Sequence, residues 1–113
     1  MVLFRCKDRD GVLISCSNEV WQTHIIDEHP EMIGCETYVK ASIEQPYQIC
    51  QDTTHIDRKV IYKPFILPKP YHTYYLRIVI EYKEKLFRGI RGYVVTAYPC
   101  TSRKTGEVVL WQK

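Results

Sequence analysis

The strongest structural signal in the chain comes from residues Tyr74–Tyr98, which read YYLRIVIEYKEKLFRGIRGYVVTAY. Aromatic and β-branched residues, which favour strands, are concentrated in two runs, Tyr74–Tyr82 and Arg91–Tyr98. The charged residues Lys83–Lys85 and the pair Arg88-Gly89 lie between these runs and predict a solvated turn. The stretch therefore predicts an antiparallel β-hairpin, with its second strand stopped by the proline that follows Tyr98.

Side chains alternate between the two sides of a strand, so each run of this hairpin should have a core side and a polar side. For the second run, this assignment supposes that Tyr93, Val95 and Ala97 point into the core. The polar side would then carry Arg77, Glu81, Thr96 and Tyr98. This partly cationic surface is the first place to look for function.

Length and composition indicate one globular domain. The chain has 113 residues, of which 45% are hydrophobic and 26% are charged, as in an ordinary soluble protein with a single core. No apolar run approaches the roughly 20 residues of a membrane span, and the N-terminus lacks the apolar region of a signal peptide. We therefore expect a cytoplasmic protein with no membrane partner. The five scattered cysteines favour buried thiols over a zinc site or a disulfide framework.

Charge is divided unevenly along the chain. Residues 1–57 contain four Lys or Arg and ten Asp or Glu, whereas residues 58–113 contain twelve and three. The two balances, −6 and +9, sum to the net charge of +3. This asymmetry indicates one cationic surface, suited to phosphates or to an acidic protein partner. A solvated basic face with no partner is the alternative.

The other elements can be placed from turn and breaker residues. Asp10-Gly11 predicts a small β-hairpin over residues 1–16, an extension of the main domain. Helices are expected over Glu19–Glu28 and Glu36–Gln45, with a further short turn between them. Strands are expected over residues 47–50, 58–63 and 108–111. The predicted fold class is α+β, with two or three short N-terminal helices packed on a four- to five-stranded antiparallel β-sheet.

Two histidines near the first helix are candidates for acid–base chemistry. His24 and His29 are five residues apart, so on an α-helix their rings would point about 140° apart and would not share a metal ion. His29 precedes Pro30 and Glu31, and that carboxylate can orient its ring. Because histidine titrates near neutral pH, His29 is a candidate general acid or base. A structural role is the alternative for both histidines.

Cations are interleaved with tyrosines in the second half of the chain. On a sheet this mixture suits RNA, because cations contact phosphates and rings stack on splayed-out bases. Thr96 and Tyr98 are two residues apart and therefore offer hydroxyls from one face. The further candidates for substrate contact are Lys59, Tyr62, Lys63 and Arg91.

The order and spacing of these pieces resemble the phage-associated nuclease domains of the Barnase–EndoU–colicin–RelE fold. The resemblance spans about Ser15 to Trp111. Its most specific parts are His29-Pro30-Glu31 and Thr96-Ala97-Tyr98. Its other parts are Trp21, His24-Ile25, Ile43-Glu44-Gln45-Pro46, Ile49, Tyr62, Leu76–Ile80 and Val94-Val95.

That resemblance implies a metal-independent endoribonuclease of toxin or effector type, with no cofactor. In such a reaction the ribose 2′-hydroxyl attacks the adjacent phosphate while an acid and a base move protons. The resemblance assigns His29 as acid or base, and His24 as its helper or as a second acid or base. It assigns Arg77 as the stabilising cation, and Thr96 and Tyr98 as phosphate-facing hydroxyls. RNA would be the substrate, and an acidic antitoxin or immunity protein would be a partner.

Two other functions remain open. A catalytically inactive module on the same fold would hold RNA or an acidic protein through its cationic face, with strongly salt-dependent binding and no cleavage. A small-molecule hydrolase that uses His24 and Glu28 would depend on an added divalent metal.

Overall fold

The chain forms a seven-stranded mixed β-sheet with short helical segments packed on one face. A computed structural model describes all residues, 1–113. The strands are β1 (Val2–Lys7), β2 (Leu13–Ser17), β3 (Gln48–Gln51), β4 (Arg58–Pro64), β5 (Tyr75–Lys85), β6 (Gly89–Cys100) and β7 (Val108–Gln112). The helical segments are α1 (Asn18–Val20), its π-helical continuation Trp21–Ile26, a 3₁₀ turn at Pro30–Met32, and α2 (Glu36–Glu44).

The predicted hairpin is at the centre of this sheet. β5 and β6 pair antiparallel, from Tyr75 opposite Cys100 to Lys85 opposite Gly89. The expected turn is shorter than predicted, because Lys83–Lys85 belong to β5 and only residues 86–88 form the turn. Charged side chains stay solvated on a hairpin that projects beyond the core, so their charge did not mark the end of the strand.

Pro99 does not stop β6, which was a wrong prediction. It lies within the strand, opposite Leu76 of β5. β2 borders β6 only along Arg91–Tyr93, so the rest of that side of β6 is an edge. A proline is tolerated there because no neighbouring strand requires its missing N–H.

A bulge in β6 changes which of its side chains face the core. Val95 is an extra residue between Val94 and Thr96, which pair with consecutive residues of β5. Val94 and Ala97 are buried under the helices, whereas Val95 packs on the opposite face. Tyr93 also lies on that opposite face, beside lysines of β5. The inward orientation predicted for Tyr93 and Val95 is therefore wrong, and that predicted for Ala97 is confirmed.

The α+β class is confirmed, but the sheet is larger than the predicted four or five strands and is not wholly antiparallel. The strand order is β1-β2-β6-β5-β4-β3-β7, and β2 pairs with β6 in parallel. The N-terminal hairpin thus joins the main sheet through Leu13–Ser15. A short turn in the sequence predicts an antiparallel pair, but a parallel pair of strands so far apart in sequence has no such local signal.

The first helix begins as predicted and then changes its winding. The Ser17 hydroxyl accepts the N–H of Val20 at 3.0 Å, so it caps the N-terminus. The π-helical part, Trp21–Ile26, ends two residues before the predicted end at Glu28. It buries Trp21 and Ile25, which are four positions apart, against the sheet.

The second helix is confirmed over Glu36–Glu44, where Val39 and Ile43 are fully buried. These residues join the main core between the helices and the sheet.

No helix is both long and apolar enough to cross a membrane. All five cysteines are free thiols, and burial raises the pKa of Cys16 to about 12, so that this thiol is neutral at pH 7.

Candidate functional site

The face of the sheet opposite the helices carries the expected polar side chains. We call it the open face. Strand alternation and the register place Arg77, Thr96 and Tyr98 there, with Arg77 directly opposite Tyr98. The other charged and aromatic members of the open face are Arg5, Lys7, Arg58, Tyr62, Tyr75, Glu81, Lys83, Lys85, Arg91 and Tyr93.

Arg77 is the centre of a buried polar cluster on this face and is only 6% exposed. Its Nη2 donates to Oε2 of Glu107 at 2.7 Å, and its Nη1 donates to the Tyr98 hydroxyl at 2.8 Å. Its Nε donates to the Tyr62 hydroxyl at 3.2 Å. Burial acts to lower the pKa of Arg77, but the hydrogen bonds to Glu107 and Tyr62 raise it overall. The guanidinium is therefore a permanent cation held in one orientation.

Glu107 fastens the connection between β6 and β7 to the open face. It accepts hydrogen bonds from Arg77 and from the hydroxyl of Tyr62. The backbone N–H of Lys104 in turn donates to that hydroxyl at 3.1 Å. Burial, together with the bond to Glu107, raises the pKa of Tyr62 to about 12. Tyr62 thus lies in the cluster as a neutral donor, buried to 1% exposure and unable to touch a substrate.

Sequence reasoning missed Glu107, which falls in a segment that reads as a turn. One signal was present. Glu107 is the only acidic residue after Glu84 in a strongly basic half of the chain. A single acid among so many cations is a natural partner for a buried arginine, since buried charges are paired.

His29 reaches the same cluster from the helical side. Its ring stacks on that of Tyr98, with centroids 4.5 Å apart and planes inclined by 19°. Its Nδ1 lies 3.9 Å from Oε1 of Glu31, and both side chains are just over a quarter exposed. His29 lies between the π-helix and the 3₁₀ turn, which both border β6 on the side that β2 leaves unpaired.

Thr96 lies on the predicted face but is not free to bind a ligand as it stands. Its Oγ1 is buried and has no hydrogen-bond partner. A phosphate oxygen would reach this hydroxyl only after neighbouring side chains moved. Nothing in the structure explains why the hydroxyl is left unpartnered.

Four candidates are not brought to this cluster. His24 is exposed and makes no hydrogen bond, ion pair or ring contact with it. Lys59 and Lys63 alternate with Tyr62 on β4 and therefore lie on the opposite, helix-covered side of the sheet. There Lys59 lies over the ring of Tyr82, and Lys63 donates to the carbonyl oxygen of Gln45, the residue that follows α2. Arg91 is on the open face, but seven residues along β6 from Tyr98.

The arrangement combines three chemical functions. His29 supplies a partly exposed imidazole, Tyr98 supplies a hydroxyl, and Arg77 supplies a fixed cation behind that hydroxyl. A guanidinium has five N–H donors, of which three are used here, so two make no hydrogen bond within the protein. No three His, Cys, Asp or Glu side chains lie close enough to hold a metal ion. The cluster is suited to acid–base chemistry on an anionic substrate.

Comparisons of the chain with protein-family models, with curated proteins and with solved structures found no match.

Proposed function

We propose that the protein is a metal-independent endoribonuclease whose reaction takes place at His29, Tyr98 and Arg77. The observation that carries the proposal is the contact of these three residues, which come from three separate parts of the chain. The His29 ring stacks on Tyr98, and the Tyr98 hydroxyl accepts a 2.8 Å hydrogen bond from Arg77. Proton transfer and charge stabilisation are the two requirements of phosphodiester cleavage by an internal hydroxyl.

Each group has a distinct part in this proposal. His29 takes the proton from the ribose 2′-hydroxyl or gives one to the departing 5′-oxygen, and Glu31 orients its ring. The Tyr98 hydroxyl accepts one hydrogen bond from Arg77 and donates its O–H, which has no acceptor within the protein, to a phosphate oxygen. The two unused N–H groups of Arg77 stabilise the negative charge that develops on the phosphate. Thr96 lies beside this site and would contribute only after a local movement.

The test is cleavage of single-stranded RNA by the purified protein in excess EDTA, beside His29→Ala and His24→Ala. His24 is the matched control, since it is a histidine of the same segment that makes no contact with the cluster. We expect cleavage that leaves 2′,3′-cyclic phosphate ends, a loss of about 10²–10⁴-fold in His29→Ala, and full activity in His24→Ala. Full activity in a folded His29→Ala protein would overturn the assignment.

A second candidate function is an RNA-binding module without catalysis on the same surface. It is favoured by the pairing of Arg77 with Glu107 at 2.7 Å, which already neutralises the cation, and by its exposure of 6%. This function predicts no cleavage products on long incubation and RNA binding that weakens steeply with salt.

An active ribonuclease inside a cell endangers that cell, so the first proposal also implies a neutralising partner. Such an antitoxin or immunity protein would be acidic where it covers the open face, because complementary charge speeds association and excludes wrong partners.

A further inference from the structure

A groove at the far end of the open face is lined by four cations. It lies where β1, β2 and the β5–β6 turn meet, and its volume is about 470 Å³. The cations are Arg5, Lys85, Arg88 and Arg91, and the polar lining is completed by Ser15 and Tyr93. No acidic side chain lines the groove. Its chemistry is that of an anion site.

The nearest acid on this face does not cancel these charges. Glu81 makes ion pairs with Arg58 and Lys83, each at 3.2 Å. Lys83 is exposed beside the groove, so Glu81 leaves an excess of positive charge along this part of the sheet. The side chain of Arg91 is pinned at the groove wall, because its Nη1 donates to the carbonyl oxygens of Arg88 and Ile90. At least one cation of the groove is therefore held in place by the fold.

An aromatic ring stands among these cations. The Nζ atoms of Lys83 and Lys85 lie 5.9 and 5.5 Å from the ring centroid of Tyr93, which also lines the groove. A cationic groove with an accessible ring is the combination that holds single-stranded nucleic acid, because every base can stack on the ring while its phosphates contact the cations. A duplex would offer phosphates but no free base for Tyr93.

We propose that this groove is a second subsite, which binds the backbone of a single-stranded RNA whose scissile phosphate lies at His29. The inference rests on the proposed function and names its substrate class. Arg91 and Tyr98 are seven residues apart on β6, so the two subsites are separated by roughly 23 Å along one strand. An RNA strand that runs along β6 spans this distance with several nucleotides. The protein should therefore bind unpaired RNA of this length more tightly than very short fragments.

The first test is binding, which does not depend on catalysis. A fluorescent single-stranded 2′-O-methyl RNA of about twelve nucleotides covers both subsites and offers no 2′-hydroxyl for cleavage. We compare Lys85→Ala/Arg88→Ala with Lys40→Ala/Lys59→Ala, which removes the same charge from the helical side of the molecule. We expect the groove variant to bind about tenfold more weakly, with a salt slope reduced by about 0.7 for each lost phosphate contact. The control should bind like the native protein.

The outcomes separate the groove from the catalytic proposal. Equal affinities of the groove variant and the control would overturn the groove, whatever the cleavage assay gives. If the groove substitutions weaken the binding of duplex and single-stranded RNA equally, the single-stranded assignment is overturned. The same holds if the native protein binds no RNA detectably but binds an acidic protein tightly. Selective loss of single-strand binding supports the groove even if His29→Ala leaves cleavage unchanged.

Discussion

At the residue scale, the pairing of Arg77 with Glu107 joins the centre of the sheet to the connection before β7. Both side chains are nearly inaccessible, at 7% and 0% exposure. The pair Arg58–Glu81 lies on the same face, but its side chains are 27% and 21% exposed. The two pairs therefore differ mainly in how far water screens them.

This difference predicts unequal costs for the same kind of substitution. Glu107→Gln leaves the charge of Arg77 buried and unpaired, so we expect the free energy of unfolding to fall by about 3–5 kcal/mol. Glu81→Gln breaks a partly exposed pair and should cost at most about 1 kcal/mol. Urea unfolding at pH 7 measures both values. Equal, small losses would mean that the Arg77 cluster is not closed to water in solution.

Asp52 gives the stability a pH dependence of defined sign. Burial opposes ionisation, but hydrogen bonds from the amides of Thr54 and His55 lower the pKa of Asp52 to about 2. A carboxyl whose pKa is lower in the folded state stabilises above its unfolded pKa of about 3.9 and loses that contribution as the pH falls through about 2.

Asn has nearly the shape of Asp but no charge, so Asp52→Asn isolates the contribution of the ionised carboxylate. We expect it to lower the free energy of unfolding by up to roughly 2 kcal/mol at pH 7, with the difference from the native protein shrinking as the pH falls from about 4 to about 2. Urea midpoints measured across this range test the prediction. A difference that stays constant with pH would contradict it.

At the element scale, the parallel contact between β2 and β6 depends on Gly92. A Cβ at this position would collide with Cδ1 of Ile14 and would lie 3.1 Å from Cγ2 of Ile80. Ile14 and Ile80 are fully buried, so neither side chain can move aside freely. The absence of a side chain at Gly92 is what lets the N-terminal hairpin close on the main sheet.

We therefore expect Gly92→Ala to destabilise the fold by about 1–3 kcal/mol through overpacking. Ile14→Val removes the colliding methyl group and alone should cost about 0.5–1.5 kcal/mol. If the collision is the cause, the double variant will be less destabilised than the sum of the two single variants. Additive costs in this double-mutant cycle would point to the backbone of β6 instead.

At the scale of the whole molecule, the sheet curves so that the β1–β2 turn at one edge reaches β7 at the other edge. β1 and β7 are at opposite ends of the strand order, yet the guanidinium of Arg9 lies 4.1 Å from the ring of Trp111. The Tyr82 hydroxyl also donates to Asp8 at 2.8 Å, which ties the same β1–β2 turn to β5. The β1–β2 turn is thus fastened to β5 and to β7 on the helical side of the sheet.

This closure predicts that the sheet unfolds as one unit. The two tryptophans report on different regions, because Trp21 is buried under the helices and Trp111 lies in β7 at an edge. In Trp21→Phe, fluorescence follows the edge only, and in Trp111→Phe it follows the core only. We expect the fluorescence and circular dichroism midpoints in urea to coincide within each variant. An earlier fluorescence transition in Trp21→Phe would show that β7 detaches first.

Only the whole molecule shows on which surfaces the acidic and basic residues of the sequence lie. Glu36 and Glu44 lie on α2, whereas Arg77, Lys83 and Lys85 lie on β5 in the other layer of the molecule. The β-strand period sorted Arg77 to the open face and Lys59 and Lys63 to the other side. Interleaved cations and tyrosines alone do not distinguish these two sides.

The sequence by itself determined the local elements. Alternation in β5, the turn at Asp10-Gly11 and the helix over Glu36–Glu44 depend on near neighbours, whose preferences act over a few residues. Alternation also placed Arg77, Thr96 and Tyr98 on one face of the sheet, whereas the register that sets Arg77 opposite Tyr98 did not follow from the sequence.

Only the tertiary structure decided what meets across long separations. The parallel β2–β6 contact, the bulge at Val95, the pairing of Glu107 with Arg77 and the stacking of His29 on Tyr98 each depend on packing between distant segments. Such contacts form because buried apolar surface and buried charges require partners. The neighbouring residues in the sequence do not determine which distant segment supplies each partner. The candidate site is made almost entirely of these long-range contacts.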